Sequence, residues 1–159
     1  MSDAKKDEIC EKLNQTRATL LDYLQGLEAE RWDTAVQSED AQWTVADIVR
    51  HLVSAEKGMI GLIEQFQQGN DPLPADFDLA RYNQRSVQKS QELTPADLLA
   101  ALESNHTRLL QVIDGLSAED WQKKGRHGSM RILTIEEVCH VIAGHDMTHL
   151  ADIQKAMSG

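Results

Sequence analysis

Near the C-terminal end of the chain, Gly144 to Leu150 reads GHDMTHL, with His145 and His149 four residues apart. On a helix, residues at this spacing differ by roughly 40° in direction and one turn in height, so both imidazoles can reach one point. Two neutral imidazoles are the beginning of a divalent-metal site, and a third ligand must come from another element. His51 is the best candidate, being the histidine on the inward edge of the second predicted helix. Three inward-facing imidazoles leave positions for water or substrate, the pattern of an open catalytic centre, and suit zinc, nickel or iron(II). The competing reading is a metal-free pocket lined by histidines. Against it, three buried imidazoles would have to hydrogen-bond one another, a less comfortable arrangement than sharing a cation.

Four long helices must position these residues. The first is expected from about Ala4 to Leu27, where Ile9, Leu13, Thr16, Leu20, Leu24 and Leu27 recur at spacings of three and four. The second opens at a capping box, Thr44 to Asp47, and carries Ile48, His51, Leu52, Ala55, Met59, Leu62 and Phe66 inward before ending near Gly69. A turn-rich connection, GNDPLPADFD, then leads into a short polar helix, LARYNQRSVQKSQ, which crosses one end of the bundle. The third helix opens at Thr94 with Pro95 in its first position, and the fourth opens at Thr134 with Ile135, Val138, Ile142, His145, His149 and Ile153 inside. His51 lies seven residues after Thr44, whereas His145 and His149 lie eleven and fifteen after Thr134. Were the second and fourth helices to run in the same direction, an offset of four residues would be about 6 Å of axial shift.

A weak internal repeat accompanies this pattern. At an offset of 89, Gly26, Leu27, Ala29, Glu30, Trp32, Val49 and His51 match Gly115, Leu116, Ala118, Glu119, Trp121, Val138 and His140. Two related helix pairs are implied, with His140 as the counterpart of His51.

The totals agree with an all-α fold. Aromatic residues make up only 4 %, there are nine glycines and three prolines, and the 159 residues suffice for one domain with a core of its own. The domain is expected to span residues 1–159. A formal net charge of −10 disfavours nucleic acid and anionic membranes. No apolar run approaches a membrane span and the first ten residues, MSDAKKDEIC, lack a signal-peptide core, so a cytoplasmic protein is expected. Cys10 and Cys139 stand far apart without a CxxC pattern and read as small buried thiols.

Other polar residues lend themselves to supporting parts. Asp47 and Asp152 each lie about one turn from a candidate ligand and could accept its second N–H, against ordinary readings as a helix cap and a solvated face. Glu56 is a candidate general base at the mouth of the site. Glu103 with His106, and Glu137 with His140, have the Glu-x-x-His spacing of di-iron bundles but fall beside the buried stripes, which argues against such a site. Arg126, His127 and Arg131 could dock a carboxylate, and Tyr82 with Asn83 could line a cleft from the crossover; surface roles are as plausible for all five.

WTVADIVRHLVSAE, Trp43 to Glu56, and VCHVIAGHDMTHLADI, Val138 to Ile153, resemble the histidine motifs of the DinB-like family, and FDLARYN, Phe77 to Asn83, resembles its crossover segment. The resemblance covers nearly the whole chain in element order. It implies an antiparallel four-helix bundle with a long helical crossover between helices two and three. It also implies a metal held by one histidine of the second helix and the HxxxH pair of the fourth, which here are His51, His145 and His149. Characterised members work on low-molecular-weight thiols as S-transferases or isomerases, and often pair as homodimers. Asp152 stands where relatives often carry glutamine. The expected function is therefore that of a metalloenzyme acting on a small-molecule substrate, possession of a thiol cofactor being part of the same implication. The alternative is a non-catalytic metal-binding or stress-associated interaction protein.

Overall fold

The computed structural model describes residues 1–38 and 41–158. These residues form α1 (Asp3–Gln25), β1 (Ala35–Ser38), β2 (Ala41–Thr44), α2 (Val45–Gln67), α3 (Leu79–Lys89), α4 (Pro95–Asp114), β3 (Lys124–Arg126), β4 (Ile132–Thr134) and α5 (Ile135–Met157). The second, third and fourth predicted helices are thus α2, α4 and α5. Thr44, Thr94 and Thr134 each close a reciprocal capping box with an acidic residue three positions on, so three of the four bundle helices start where a side chain satisfies their first amides. Asp78 caps the crossover helix α3 by accepting from the Arg81 amide at 3.1 Å.

Directions follow from which ends meet. Along α1 and α5, Lys5 pairs with Glu136, Lys12 with His140 and Arg17 with Asp146, so the two helices run parallel. Along α2 and α4, Arg50 reaches the Leu93 carbonyl and Arg108 reaches Glu64, a second parallel pair. Between α1 and α4 the order reverses: Lys6 meets Asp114 and Arg17 meets the Leu102 carbonyl. α2 and α5 are likewise antiparallel, since Ser38, just before α2, touches His149 and Asp152 late in α5, whereas Phe66 lies against Gly125, just before α5. Two helices therefore run each way, with neighbours alternately parallel and antiparallel. The crossover of residues 68–94 is the length of chain that lets α4 start again at the end where α2 began.

Antiparallel α2 and α5 overturn the premise of parallel helices but not its consequence. His51 lies six residues into α2 and His149 eight residues before the end of α5, so they come to one height when counted from opposite ends.

Two antiparallel hairpins, β1 with β2 and β3 with β4, each lead directly into a capped helix. The all-helical expectation did not include them, because three- or four-residue strands are too short to establish an alternating pattern. They also complete the internal repeat. α1 with the first hairpin and α2 corresponds to α4 with the second hairpin and α5, and Trp32 and Trp121 are buried at equivalent 3₁₀ turns. The second hairpin is one residue longer, with Ala35 opposite Thr44 but Lys124 opposite Thr134. Past the hairpins the offset becomes 90, so the counterpart of His51, seventh in its helix, is Val141 rather than His140. His140 is exposed, with its Nδ1 3.1 Å from Lys12.

One core group joins Ile9 and Leu13 of α1 to Ile63, Phe66, Leu109, Ile135 and Ile142; the other joins Leu20 and Leu24 to Ile48, Leu52, Leu98, Leu150 and Ile153. Gly125 is where the second hairpin touches the first group: a Cβ there would sit 2.7 Å from Cδ1 and 2.8 Å from Cζ of Phe66, a ring that is 1 % exposed. Gly125→Ala is accordingly expected to cost about 1–3 kcal/mol of stability by forcing that ring aside, readable as a lower denaturation midpoint. An unchanged midpoint would show that the hairpin moves freely relative to Phe66.

Candidate metal centre

The structure brings His51, His145 and His149 together. His145 Nε2 stands 3.1 Å from His51 Nε2 and 3.0 Å from His149 Nε2, and one ring nitrogen from each residue lies within 4.8 Å of the others. His51 and His149 are buried and His145 is half-buried, facing the open side. Two nitrogens bound at 2.0–2.1 Å to a tetrahedral ion stand roughly 3.3 Å apart, and about 3.0 Å apart at an octahedral one. The two spacings from His145 fall at these values.

The tautomers point the same way. His149 Nδ1 lies 3.3 Å from Ser38 Oγ and 3.4 Å from Asp152 Oδ2, while the Ser38 hydroxyl donates to that same carboxylate oxygen at 2.7 Å. A carboxylate against Nδ1 favours the proton there and turns the Nε2 lone pair inward, the form that ligates a metal. An imidazole nitrogen carries either one proton or one lone pair, so His145 Nε2 cannot make two good hydrogen bonds to its neighbours. A cation at the convergence point resolves the conflict, and the donor set fits a divalent ion. The first hairpin thus supports the triad from behind: Ser38 ends β1, and Trp43 of β2 stacks at a tilt of 35° on His51, with ring centroids 5.2 Å apart.

The supporting residues sort differently from the sequence expectations. Asp152 stands behind a candidate ligand. Asp47 does not: it closes the cap of α2 and binds Arg50 at 2.8 Å and Gln91 at 2.9 Å. Glu56 is no general base at the mouth, being 3 % exposed and bound through both oxygens to Arg17 at 3.0 and 2.7 Å. Arg17 also grips both oxygens of Asp146, at 2.9 and 3.2 Å, and donates to the Leu102 carbonyl at 2.7 Å, so one guanidinium ties all four bundle helices together. Burial works against the Arg17 charge, but the carboxylates outweigh it and hold the proton more tightly than in an ordinary arginine. Burial raises the Glu56 carboxyl above the usual range even with Arg17 against it.

Sequence reasoning missed Arg17, Asp146 and Ser38. Arg17 carried a signal, since it continues the stripe Leu13, Leu20, Leu24 better than the half-buried Thr16 does. His106 lies apart from the triad, with Nε2 2.7 Å from Asn14 Oδ1; burial and then the nearby Arg17 lower its pKa. Glu137 serves as a helix cap, so the Glu-x-x-His pairs assemble no di-iron site. Cys139 is fully buried and burial pushes its thiol up to about 12; Cys10 is half-buried. Neither takes part in the triad.

A cleft of about 230 Å³ opens beside His51 and His145. Ala55, Gly58 and Met59 of α2 and Val141 of α5 form its floor, and Leu79, Tyr82 and Asn83 of the crossover form its outer wall. Tyr82 and Asn83 therefore do line it, and His127 closes its far side. Gly128 permits this closure, because a Cβ there would meet Leu79 Cδ1 at 2.9 Å. Arg126 turns away, donating through its guanidinium to the Leu73 carbonyl at 3.0 Å.

Fold and site together define a bundle with an open three-histidine centre beside an apolar cleft. Residues 12–153 match the DinB superfamily, and the chain belongs to it. Among solved structures it is similar to YfiT from Bacillus subtilis, described as a probable metal-dependent hydrolase with an unusual four-helix bundle topology, at 21 % identity and a TM-score of 0.79, covering 98 % of this chain and 87 % of that one. It is also similar to a mycothiol-dependent maleylpyruvate isomerase (13 % identity, TM-score 0.78), covering 93 % of this chain but only 60 % of the isomerase. A third similar structure is the colibactin self-resistance protein ClbS in complex with double-stranded DNA (16 % identity, TM-score 0.80), covering 97 % of this chain and 96 % of that one. No curated protein matches the sequence. Among the described residues, no helix is long and apolar enough to cross a membrane.

Proposed function

We propose that this protein is a metal-dependent enzyme in which His51, His145 and His149 hold one divalent ion and the adjoining cleft admits a small-molecule substrate. The observation that carries the reading is the convergence of three Nε2 atoms, with His149 oriented from behind by Ser38 and Asp152. Zinc, nickel and iron all suit this donor set. Such an ion, when bound, supplies Lewis acidity: it lowers the pKa of a thiol or water, or polarises a carbonyl.

The protein's own residues do the rest. Asp152 and Ser38 keep the His149 proton on Nδ1. Trp43 and the buried side of α2 exclude water behind His51, so exchange occurs on the His145 side, where the cleft opens. Within the reaction class we favour thiol-dependent S-transfer or isomerisation, with a low-molecular-weight thiol as co-substrate, on the strength of the isomerase sharing this fold. The net charge of −10 argues against duplex DNA as the partner of this chain, whatever ClbS binds. A cytoplasmic homodimer, whose pairing sedimentation would test, completes the proposal.

Elemental mass spectrometry on tag-free protein is expected to find about one divalent ion per chain. The loaded protein is expected to turn over at least one pair in a panel of low-molecular-weight thiols and electrophiles, and chelation to abolish that turnover. An ion without turnover across a broad panel would favour the non-catalytic metal-binding alternative. No ion after reloading would overturn the reading.

A further inference from the structure

The cleft has a second polar end that the histidine triad does not use. Asn83, on the inner face of α3, is only 8 % exposed and lines the cleft, yet its carboxamide makes no hydrogen bond among the described residues. The amide is open to the cleft, so its donors and its acceptor are available to a bound molecule. Beside it, the Tyr82 hydroxyl is turned towards α2, where a Cβ placed on Gly58 would lie 3.6 Å from it. His127 completes the group from the β3–β4 loop. Its Nδ1 accepts from the Ser129 amide at 3.1 Å and lies 2.9 Å from the Ser129 hydroxyl, so the neutral ring carries its proton on Nε2. Burial, with Arg131 nearby, lowers the His127 pKa and keeps the ring in that neutral form at pH 7.

We propose that Asn83, Tyr82 and His127 form a binding subsite for a carboxyl-type oxygen, acid or amide, on a substrate whose apolar body lies along the cleft and whose other end meets the histidine triad. Each of the three carries an N–H or O–H donor that suits an acceptor oxygen, and Ala55 and Val141 between the ends suit a hydrocarbon. The spacing sets the length. Gly58, against which Tyr82 rests, is seven residues past His51 on α2, or about 10 Å along the helix axis. An eight-carbon chain with a polar group at each end matches that span. Gly58 also gives the tyrosine its place, since a Cβ there would already stand in van der Waals contact with the hydroxyl and a larger side chain would crowd it.

The inference rests on the metal-site reading for the identity of the far end only, and the test separates them. Calorimetric titration would compare 8-mercaptooctanoate, 8-mercaptooctanamide and octane-1-thiol on the metal-loaded and the chelated protein. The acid, the amide or both are expected to bind at least about tenfold more tightly than the plain thiol, in the presence or absence of the ion. Which of the two binds better identifies the group as anionic or neutral. In Asn83→Leu and in Tyr82→Phe, the latter at a surface-accessible ring whose loss does not threaten folding, the preference is expected to fall several-fold while the affinity for octane-1-thiol stays as it was. Equal binding of all three probes, no binding of any, or an undiminished preference in both variants would overturn the subsite. A preserved preference with no effect of chelation on thiol affinity would overturn the metal reading alone.

Discussion

Arg17→Ala is expected to be the most destabilising single substitution in the bundle, lowering the unfolding free energy by about 3–5 kcal/mol. The guanidinium binds Glu56 and Asp146, all three residues being at most 4 % exposed, and it also holds a carbonyl of α4. Its removal leaves two buried carboxylates facing each other with neither charge matched. Urea denaturation at neutral pH measures the loss. A cost under about 1 kcal/mol would mean that water enters the cluster and the burial is nominal. Arg17→Ala combined with Glu56→Gln and Asp146→Asn is expected to recover part of the stability, because it removes the stranded charges along with their partner.

The cluster is one arginine against two carboxylates, and its arrangement follows from the internal repeat. Glu56 and Asp146 are counterparts at the offset of 90 that holds after the hairpins, and Arg17 and His106 are counterparts at 89. The repeat presents two acids to the centre of the bundle, and only one of the two basic positions holds a residue long enough to bridge them. His106 turns instead to Asn14. A pH dependence follows with a definite sign. Burial raises the Glu56 pKa above its ordinary value of 4.5, so between that value and the raised one the folded protein holds a proton that the unfolded chain has released. Stability contributed by the protonated form is present below pH 4.5 and falls as pH rises through the folded value. Glu56→Gln is expected to flatten this part of the stability profile, and an unaltered slope would assign the titration elsewhere.

The sequence made the helices legible because each of three capping boxes stands at the head of a stripe of three- and four-residue spacing, and the triad legible because HxxxH needs only one helix to bring two ligands together. What it hid has physical reasons. The hairpins are too short for periodicity to register, yet Ser38 and Trp43, which brace the triad, sit on one of them. Helix direction is not encoded in any stripe, so the offset of His51 from the HxxxH pair was explicable by parallel helices when antiparallel ones produce it. The single extra residue in the second hairpin shifts the repeat by one position, which on a helix rotates the partner by roughly 100°. That rotation is why His140 lies on the surface and Val141 takes the place opposite His51. Glu56 was visible as a carboxylate near the site, but its partner is 39 residues away on another helix, and a carboxylate expected at the mouth reads as functional until that partner is known.

The other large effect expected lies at the triad itself, and two kinds of variant separate ligation from support. His149→Ala and His51→Ala each remove one of three nitrogens, leaving two, which do not hold a divalent ion against buffer and water; both are expected to purify with essentially no stoichiometric metal. Asp152→Asn keeps all three nitrogens and replaces only the carboxylate behind His149 Nδ1 with a neutral acceptor. Its expected effect is a 10–100-fold loss of affinity with the stoichiometry preserved on loading, the range typical of outer partners of ligating histidines. Competition with a chromophoric chelator resolves the two classes. Asp152 is partly exposed and packs no core, so its variant should melt with the metal-free parent, and any drop in affinity then reflects the tautomer and orientation of one ring. Were Asp152→Asn to bind metal as tightly as the parent, the Ser38 and Asp152 contacts would be incidental to the ring they touch. Were His149→Ala to keep its ion, the convergence of the three Nε2 atoms would be a feature of packing, and the ion would have to be held by groups elsewhere in the protein.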